Sequence, residues 1–197
     1  MTLLALLLAA YLLGSIPFAI VSSRIFGLTD PRKYGSGNPG ATNVLRSGNK
    51  PAALLTLLGD CAKGWLAVWG ASRLGFDATD TALAGLAAFL GHVFSVFLRF
   101  NGGKGVATAL GVLLGINGWV ALSALATWLA IAFATRYSSA AALCAALATP
   151  IAGYVLLGPT PVVGILALIA AILIWRHSTN IRKLLDGTEG RIGGRKA

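Results

Sequence analysis

Acidic residues are scarce in this chain: 6 Asp and Glu among 197 residues, against 16 Lys and Arg, for a formal net charge of +10. Charged residues of both signs make up only 11%, less than half of the roughly 25% typical of a soluble domain. That excludes a globular protein with a solvated charged shell. Cysteine is limited to Cys61 and Cys144, both in apolar stretches without ligand partners nearby. They read as small buried hydrophobes and do not make a metal site. Histidine is limited to His92 and His177, and no Ser-His-Asp or metal-ligand cluster is visible. The apolar runs do not alternate with polar residues, which argues against a β-barrel. No basic segment precedes the first apolar run, so that run is expected to be a retained span and not an ordinary cleaved signal peptide. Internal repeats, heptads and low-complexity tracts are lacking.

What is present is apolar: 56% of the residues are hydrophobic, in runs long enough to cross a bilayer. The expected fold is all-α, a polytopic integral membrane protein of one domain covering residues 1–197. Spans are expected over Leu3–Val21, with Gly14 and Pro17 loosening its second half, and over Pro51–Ala71, Thr81–Leu98, Ala140–Leu157 and Val162–Trp175. Between them, Val106–Ala134 is a 29-residue apolar run, too long for one upright span of about 20 residues. Divided at Asn117-Gly118, it gives a short or half-depth helix, Val106–Ile116, and a second crossing. The total is then seven transmembrane helices. The basic loops place the N-terminus outside and the C-terminus in the cytoplasm, with 14 of the 16 basic residues cytoplasmic and Lys63 and Arg73 the exceptions. The charge excess therefore reads as topology and attraction to anionic lipid, not nucleic-acid binding. Asp60 and Lys63 interrupt the second span at i, i+3, on one helix face where they can pair. Charges at that depth are costly unless paired or facing a wet cavity.

Three donor-rich, acid-poor stretches fall on the expected cytoplasmic side. Gly35–Arg46 holds three glycines, Ser36, Asn38, Thr42, Asn43 and Arg46, an inventory of backbone N–H, hydroxyl, amide and guanidinium donors that suits a phosphate. Asn101–Gly105 leads Gly102, Gly103, Lys104 and Gly105 directly into a helix, whose start adds a positive dipole end. It is not a Walker A motif, since Leu98 and Gly105 stand where that motif needs Gly and Ser or Thr. Arg176–Asn180 closes the last span. Taken singly, each has a plainer reading: a solvated turn, an inter-helix turn with a snorkelling lysine, a basic anchor at the headgroups. Their coincidence on one side favours an anion site. The Gly111 and Gly115 spacing is GxxxG and reads as helix packing.

Two families are disfavoured by pattern. Phe97 and Arg182 stand five positions after the histidines, so the His-x4-Asp pattern of acyl-CoA-dependent glycerolipid acyltransferases is absent, as is the paired-aspartate signature of CDP-alcohol phosphotransferases. Instead Gly35–Arg46, then Gly91-His92 through Gly103–Thr108, then Arg176–Asn180 with Glu189 beyond resemble the PlsY family of bacterial inner-membrane acyl-phosphate:glycerol-3-phosphate acyltransferases. The resemblance covers almost the whole chain. It implies a multi-pass enzyme of the cell inner membrane with its active site facing the cytoplasm, acting in phospholipid biosynthesis. The reaction would move a fatty acyl group from acyl phosphate to the 1-hydroxyl of sn-glycerol 3-phosphate, giving lysophosphatidic acid and inorganic phosphate.

Carried over residue by residue, the resemblance implies catalytic roles for Ser36, Arg46, Lys104, His177 and Asn180. It implies substrate-phosphate binding by Gly35, Gly37, Asn38, Thr42, Asn43, Gly102, Gly103 and Gly105, and a structural role for Glu189. No cofactor and no metal are expected. Partners are the two substrates, the bilayer, and a functional link to a soluble enzyme that makes acyl phosphate; nucleic acid is not among them. Ser95, Asn101 and Ser178 depart from residues common in the family: proline, lysine and a basic residue. The rival reading from another class is a transporter for a phosphorylated metabolite; a third is a small structural or lipid-binding subunit.

Overall fold

The computed structural model describes residues 2–193. Among the described residues every regular element is helical: α1 (Leu3–Ser15), α2 (Phe18–Ile25), α3 (Ala41–Leu45), α4 (Lys50–Arg73), α5 (Ala78–Val93), α6 (Val106–Ile116), α7 (Gly118–Thr135), α8 (Ser138–Leu157), α9 (Pro161–Arg176) and α10 (Ser178–Leu185), with short 3-10 turns at Pro31–Lys33 and Val96–Leu98. Five segments are long and apolar enough to cross a membrane: Leu3–Ile25, α4, Ala78–Leu98, α7 and α8. The pair α9 and α10, bent by 57°, makes a sixth if taken as one span, and α6 is apolar but shorter. At 11 residues, α6 rises only about 16 Å, roughly half of a hydrocarbon core of about 30 Å. The protein is an all-helical integral membrane protein.

The chain folds as two compact units, one reaching to Ile116 and one beginning at Asn117. In the first, the opening apolar run is two helices. Pro17 has no N–H to donate and its ring crowds the preceding turn, so α1 ends at Ser15 and α2 begins at Phe18. The second piece runs beyond the expected boundary at Val21 to Ile25. The reason is packing: Ser22 is buried and its hydroxyl lies 2.6 Å from that of Thr56 on α4, so a residue that read as loop is satisfied within a helix contact. Helix starts are capped by side chains: Asn49 Oδ1 accepts from Ala52 N (2.9 Å) and Asp77 Oδ1 from Asp80 N (2.8 Å).

Glycine sets the spacing of the helices. A Cβ on Gly111 of α6 would overlap the Cys61 carbonyl oxygen of α4, and one on Gly115 would press on Val68. The GxxxG pair is thus the contact face of α6 against α4. In a bilayer, apolar side chains gain little by leaving lipid, and close backbone approach supplies the packing. The α1–α5 contact repeats this with Gly14 against Ala88 and Gly91 against the Tyr11 carbonyl. It is tied by Tyr11 Oη donating to Phe94 O and Ser95 Oγ donating to Ser15 O, each 2.6 Å.

The second unit stacks α7 on α8 and α8 on α9. Arg136, in the left-handed region at φ 62°, makes the α7–α8 turn, and Gly158 opens the α8–α9 turn. Its buried residues are mostly alanines of α8 (Ala141, Ala142, Ala145, Ala146) and larger aliphatics of α9 (Ile165, Leu166, Ile169).

Replacing Gly111 by Leu is expected to destabilise the protein by about 1–3 kcal/mol, seen as a lower thermal midpoint in detergent. Gly164→Leu, where a Cβ meets nothing within 4 Å, should leave the midpoint in place. Equal midpoints for the two variants would contradict the packing.

Candidate functional site

The loops of the first unit hang from a set of buried charges. Asp60 and Lys63 are 2% and 1% exposed, and Lys63 Nζ lies 2.8 Å from Asp60 Oδ1. Lys63 Nζ also donates to the Ile16 carbonyl (2.8 Å), an acceptor at the α1–α2 break. The Phe18 ring lies 5.9 Å from the ammonium. From α5, His92 places Nδ1 3.4 Å from the same Asp60 oxygen. The i, i+3 pairing expected for Asp60 and Lys63 is present. The third member, on the next span, carried no signal that would have joined it to them.

The first loop is organised from within by Asn43, which is 2% exposed. Its Nδ2 donates to Pro31 O (2.7 Å) and Tyr34 O (3.2 Å), and its Oδ1 accepts from Ser36 N (2.9 Å). Gly35 sits at φ 60°, and a Cβ there would overlap Asn43 Oδ1 and come within 3.3 Å of Arg46 Cδ. Gly35 therefore lets the Asn43 amide and the Arg46 stem close over the turn. Ser36, Thr42 and Arg46 are exposed, and among the described residues no carboxylate forms an ion pair with Arg46. Ser36 Oγ accepts weakly from Asn38 N at 3.4 Å. Beside the loop, the Arg32 guanidinium hydrogen-bonded to Asp30 holds that carboxyl below its usual range. With its folded pKa depressed, the pair's contribution is present at neutral pH and lost as pH falls through that value. At an exposed site it amounts to about 1 kcal/mol or less.

The second loop is pulled inward. Gly102 N donates to Val93 O and Gly103 N to His92 O, both 3.1 Å. A Cβ on Gly102 would overlap the His92 carbonyl, and one on Gly103 the His92 Nε2. These two hydrogen bonds seat the loop on the end of α5. Arg99 and Phe100 are consecutive non-glycine residues in the left-handed region, at φ 51° and 62°. Such a pair is strained, and here it turns the chain from Leu98 into the glycines. Lys104 is half-buried at the end of this loop, one residue before Gly105 at φ 85°.

In the second unit His177 is the joint between α9 and α10 and is 3% exposed. Its Nδ1 lies 2.8 Å from Leu173 O. A carbonyl can only accept, so the neutral ring carries its proton on Nδ1 and has Nε2 as its basic atom. Asn180, one turn on, donates from Nδ2 to Glu189 Oε1 (2.8 Å), which also accepts from Ser139 Oγ (2.7 Å). Glu189 thereby ties α10 to the start of α8. The following segment is held at Arg136, whose O accepts from Ile192 N (2.7 Å) while its Nη2 donates to Ile192 O (3.0 Å). No group of three or more His, Cys, Asp or Glu able to hold a metal occurs among the described residues.

Gly35–Arg46, Asn101–Gly105 and Arg176–Asn180 all lie within a family match. The family model for glycerol-3-phosphate acyltransferases matches residues 4–187. A glycerol-3-phosphate acyltransferase of Aromatoleum aromaticum is 77% identical over 197 residues, covering all of both chains. One of Laribacter hongkongensis is 60% identical, covering 100% of this chain and 99% of the relative. Among solved structures, crystalline PlsY (YgiH), an integral membrane glycerol 3-phosphate acyltransferase in its glycerol 3-phosphate form, superposes with a TM-score of 0.92 at 40% identity, over 97% of this chain and 96% of that one. Its lysophosphatidic acid form gives 0.90 at 39% identity, over 97% and 95%. The chain belongs to the glycerol-3-phosphate acyltransferase family, and it is an acyltransferase.

Asn43→Asp keeps the acceptor for Ser36 N and loses both donors, leaving the buried Pro31 and Tyr34 carbonyls facing a carboxylate. Unpaired buried groups cost about 1–3 kcal/mol each. Hydrogen exchange across residues 31–37 is expected to accelerate at least about tenfold, the equivalent of about 1.4 kcal/mol of local opening. Unchanged exchange would remove Asn43 from this role.

Proposed function

We propose that this chain transfers a fatty acyl group from acyl phosphate to the 1-hydroxyl of sn-glycerol 3-phosphate, releasing 1-acylglycerol 3-phosphate and inorganic phosphate. The observation that carries the reading is the family match across residues 4–187, which contains Ser36, Arg46, Lys104, His177 and Asn180. It is joined by a structural neighbour captured in both glycerol 3-phosphate and lysophosphatidic acid forms, an acceptor and its acylated product. The whole chain acts as a single membrane-embedded domain of the bacterial inner membrane. It has seven spans, counting α6 as a half-depth one and α9 as the last, with the N-terminus outside and the C-terminus in the cytoplasm. The basic loops support that orientation. The active site then faces the cytoplasm, where a soluble enzyme supplies the acyl phosphate.

The donor is a mixed anhydride and is already activated. The protein needs no covalent nucleophile, and its task is positioning and charge stabilisation. The glycerol hydroxyl oxygen attacks the acyl carbon, the bond from that carbon to the phosphate oxygen breaks, and phosphate leaves with the electron pair. Arg46 and Ser36 stabilise the developing oxyanion and leaving phosphate, with Gly35, Gly37, Asn38 and Thr42 shaping their loop and Asn43 holding it together. Lys104 binds a substrate phosphate, and Gly102, Gly103 and Gly105 bring it close by their fold. The hydroxyl proton goes to His177 Nε2 or to a substrate phosphate oxygen. An imidazole, with an unperturbed pKa of about 6.5, suits that transfer. Asn180 supports His177 from the same short helix, and Glu189 fixes Asn180.

With palmitoyl phosphate and glycerol 3-phosphate, the purified protein in detergent should release phosphate and lysophosphatidic acid in equal amounts. No product with acyl phosphate would sink this reading, and product with acyl-CoA would change the donor class. Ser36→Ala and Arg46→Ala are expected to lower kcat/KM by about 100-fold or more without shifting the thermal midpoint. His177→Ala separates the two bases: a fall in kcat of only a few fold assigns the proton to the substrate, and a loss of about 100-fold or more assigns it to the histidine.

A further inference from the structure

Asp60, Lys63 and His92 form a buried polar network with no place in the chemistry above. An ion pair in this setting costs desolvation that a well-packed apolar pair avoids, so its contacts show what it is for. One end meets the Ile16 carbonyl at the α1–α2 break through Lys63 Nζ. The other end is the His92 imidazole, whose Nδ1 faces Asp60 Oδ1 at 3.4 Å and whose Nε2 edge lies where a Cβ on Gly103 would be. The His92 carbonyl accepts the Gly103 N–H, and the next carbonyl, that of Val93, accepts the Gly102 N–H. The loop that carries Lys104 therefore rests on His92 by both ring and backbone, and the ring is aimed by Asp60, itself held by Lys63.

We infer that the Asp60–Lys63–His92 network is a positioning element for the Gly102–Gly105 loop, setting where Lys104 stands and so the affinity for glycerol 3-phosphate. The residues touch no substrate; they act through the loop. The inference rests on the reading of that loop as the holder of the glycerol 3-phosphate phosphate.

The test uses steady-state kinetics of the full-length enzyme in detergent with each substrate varied in turn. His92→Ala and Asp60→Asn should raise KM for glycerol 3-phosphate about tenfold or more while KM for palmitoyl phosphate stays within about twofold. A merely structural role would instead lower the fraction of active enzyme, reducing apparent kcat with both KM values unchanged. Gly103→Ala, which leaves the buried pair intact, should raise the same KM by pressing on the His92 ring, and it gives the readout if the alanine variant at 92 fails to accumulate. In the double variant His92→Ala/Gly103→Ala the added penalty of the second change should shrink, because the ring it collides with is gone. Lys104→Ala is the control for the loop. If it leaves KM for glycerol 3-phosphate unchanged, the reading of the loop falls and the inference with it. If Lys104→Ala raises that KM but His92→Ala, Asp60→Asn and Gly103→Ala do not, the loop keeps its role and the network loses the one assigned here.

Discussion

Lys63 carries an ammonium group into the middle of a membrane-spanning helix, where a charge is tolerated only with partners on every side. Those partners come from three helices: Asp60 one turn back on α4, the Ile16 carbonyl at the end of α1, and, through Asp60, His92 of α5. Each consequence follows from that requirement. Pro17 breaks the first helix at Ile16, and the lysine takes up the carbonyl there. The break redirects α2, which leads into the glycine-rich first loop. His92, fixed by the carboxylate, becomes the seat of the second loop. The buried pair is a weak argument for stability taken alone, but it is a strong constraint on geometry, since breaking it strands a charge where no water compensates.

The contacts around this node are close because the residues are small. Gly14, Gly91, Gly111 and Gly115 let helix backbones meet directly, which in lipid is the available means of holding helices together with specificity. The same residue type serves differently in the loops. Gly35 admits the Asn43 amide and the Arg46 stem, and Gly103 admits the His92 ring. In both loops glycine lets a side chain come close enough to hold the turn.

The transfer we propose is undemanding of nucleophiles and demanding of placement. An acyl phosphate donor would need an acceptor hydroxyl in line and its negative charge balanced, so the useful residues would be a guanidinium, an ammonium, a hydroxyl and one imidazole with its basic nitrogen defined. The Nδ1 contact of His177 with Leu173 O would provide that last element from local helix geometry alone. Strain at Arg99 and Phe100 fits the same economy, because a loop bent away from its relaxed path holds a lysine at a defined place.

Much of this was legible in the chain. Hydropathy runs and basic loops determined an all-helical membrane protein; Asn117-Gly118 divided the long apolar run; Gly14 and Pro17 marked a loosened second half of the first run, where the structure has a full break; Gly111 and Gly115 foretold a packing face; and the three polar stretches supplied the residues of the candidate site. These are local properties of side-chain volume, charge and backbone freedom, which act over a few residues and can be read along a sequence. Tertiary structure alone decided that His92 joins Asp60, that Asn43 spends its amide inside the first loop, and that the Gly102 and Gly103 N–H groups turn inward. Those outcomes depend on which helices meet and at what depth. A hydrogen-bonding group takes whichever partner the packing brings within about 3 Å, and the order of residues does not state which one that will be.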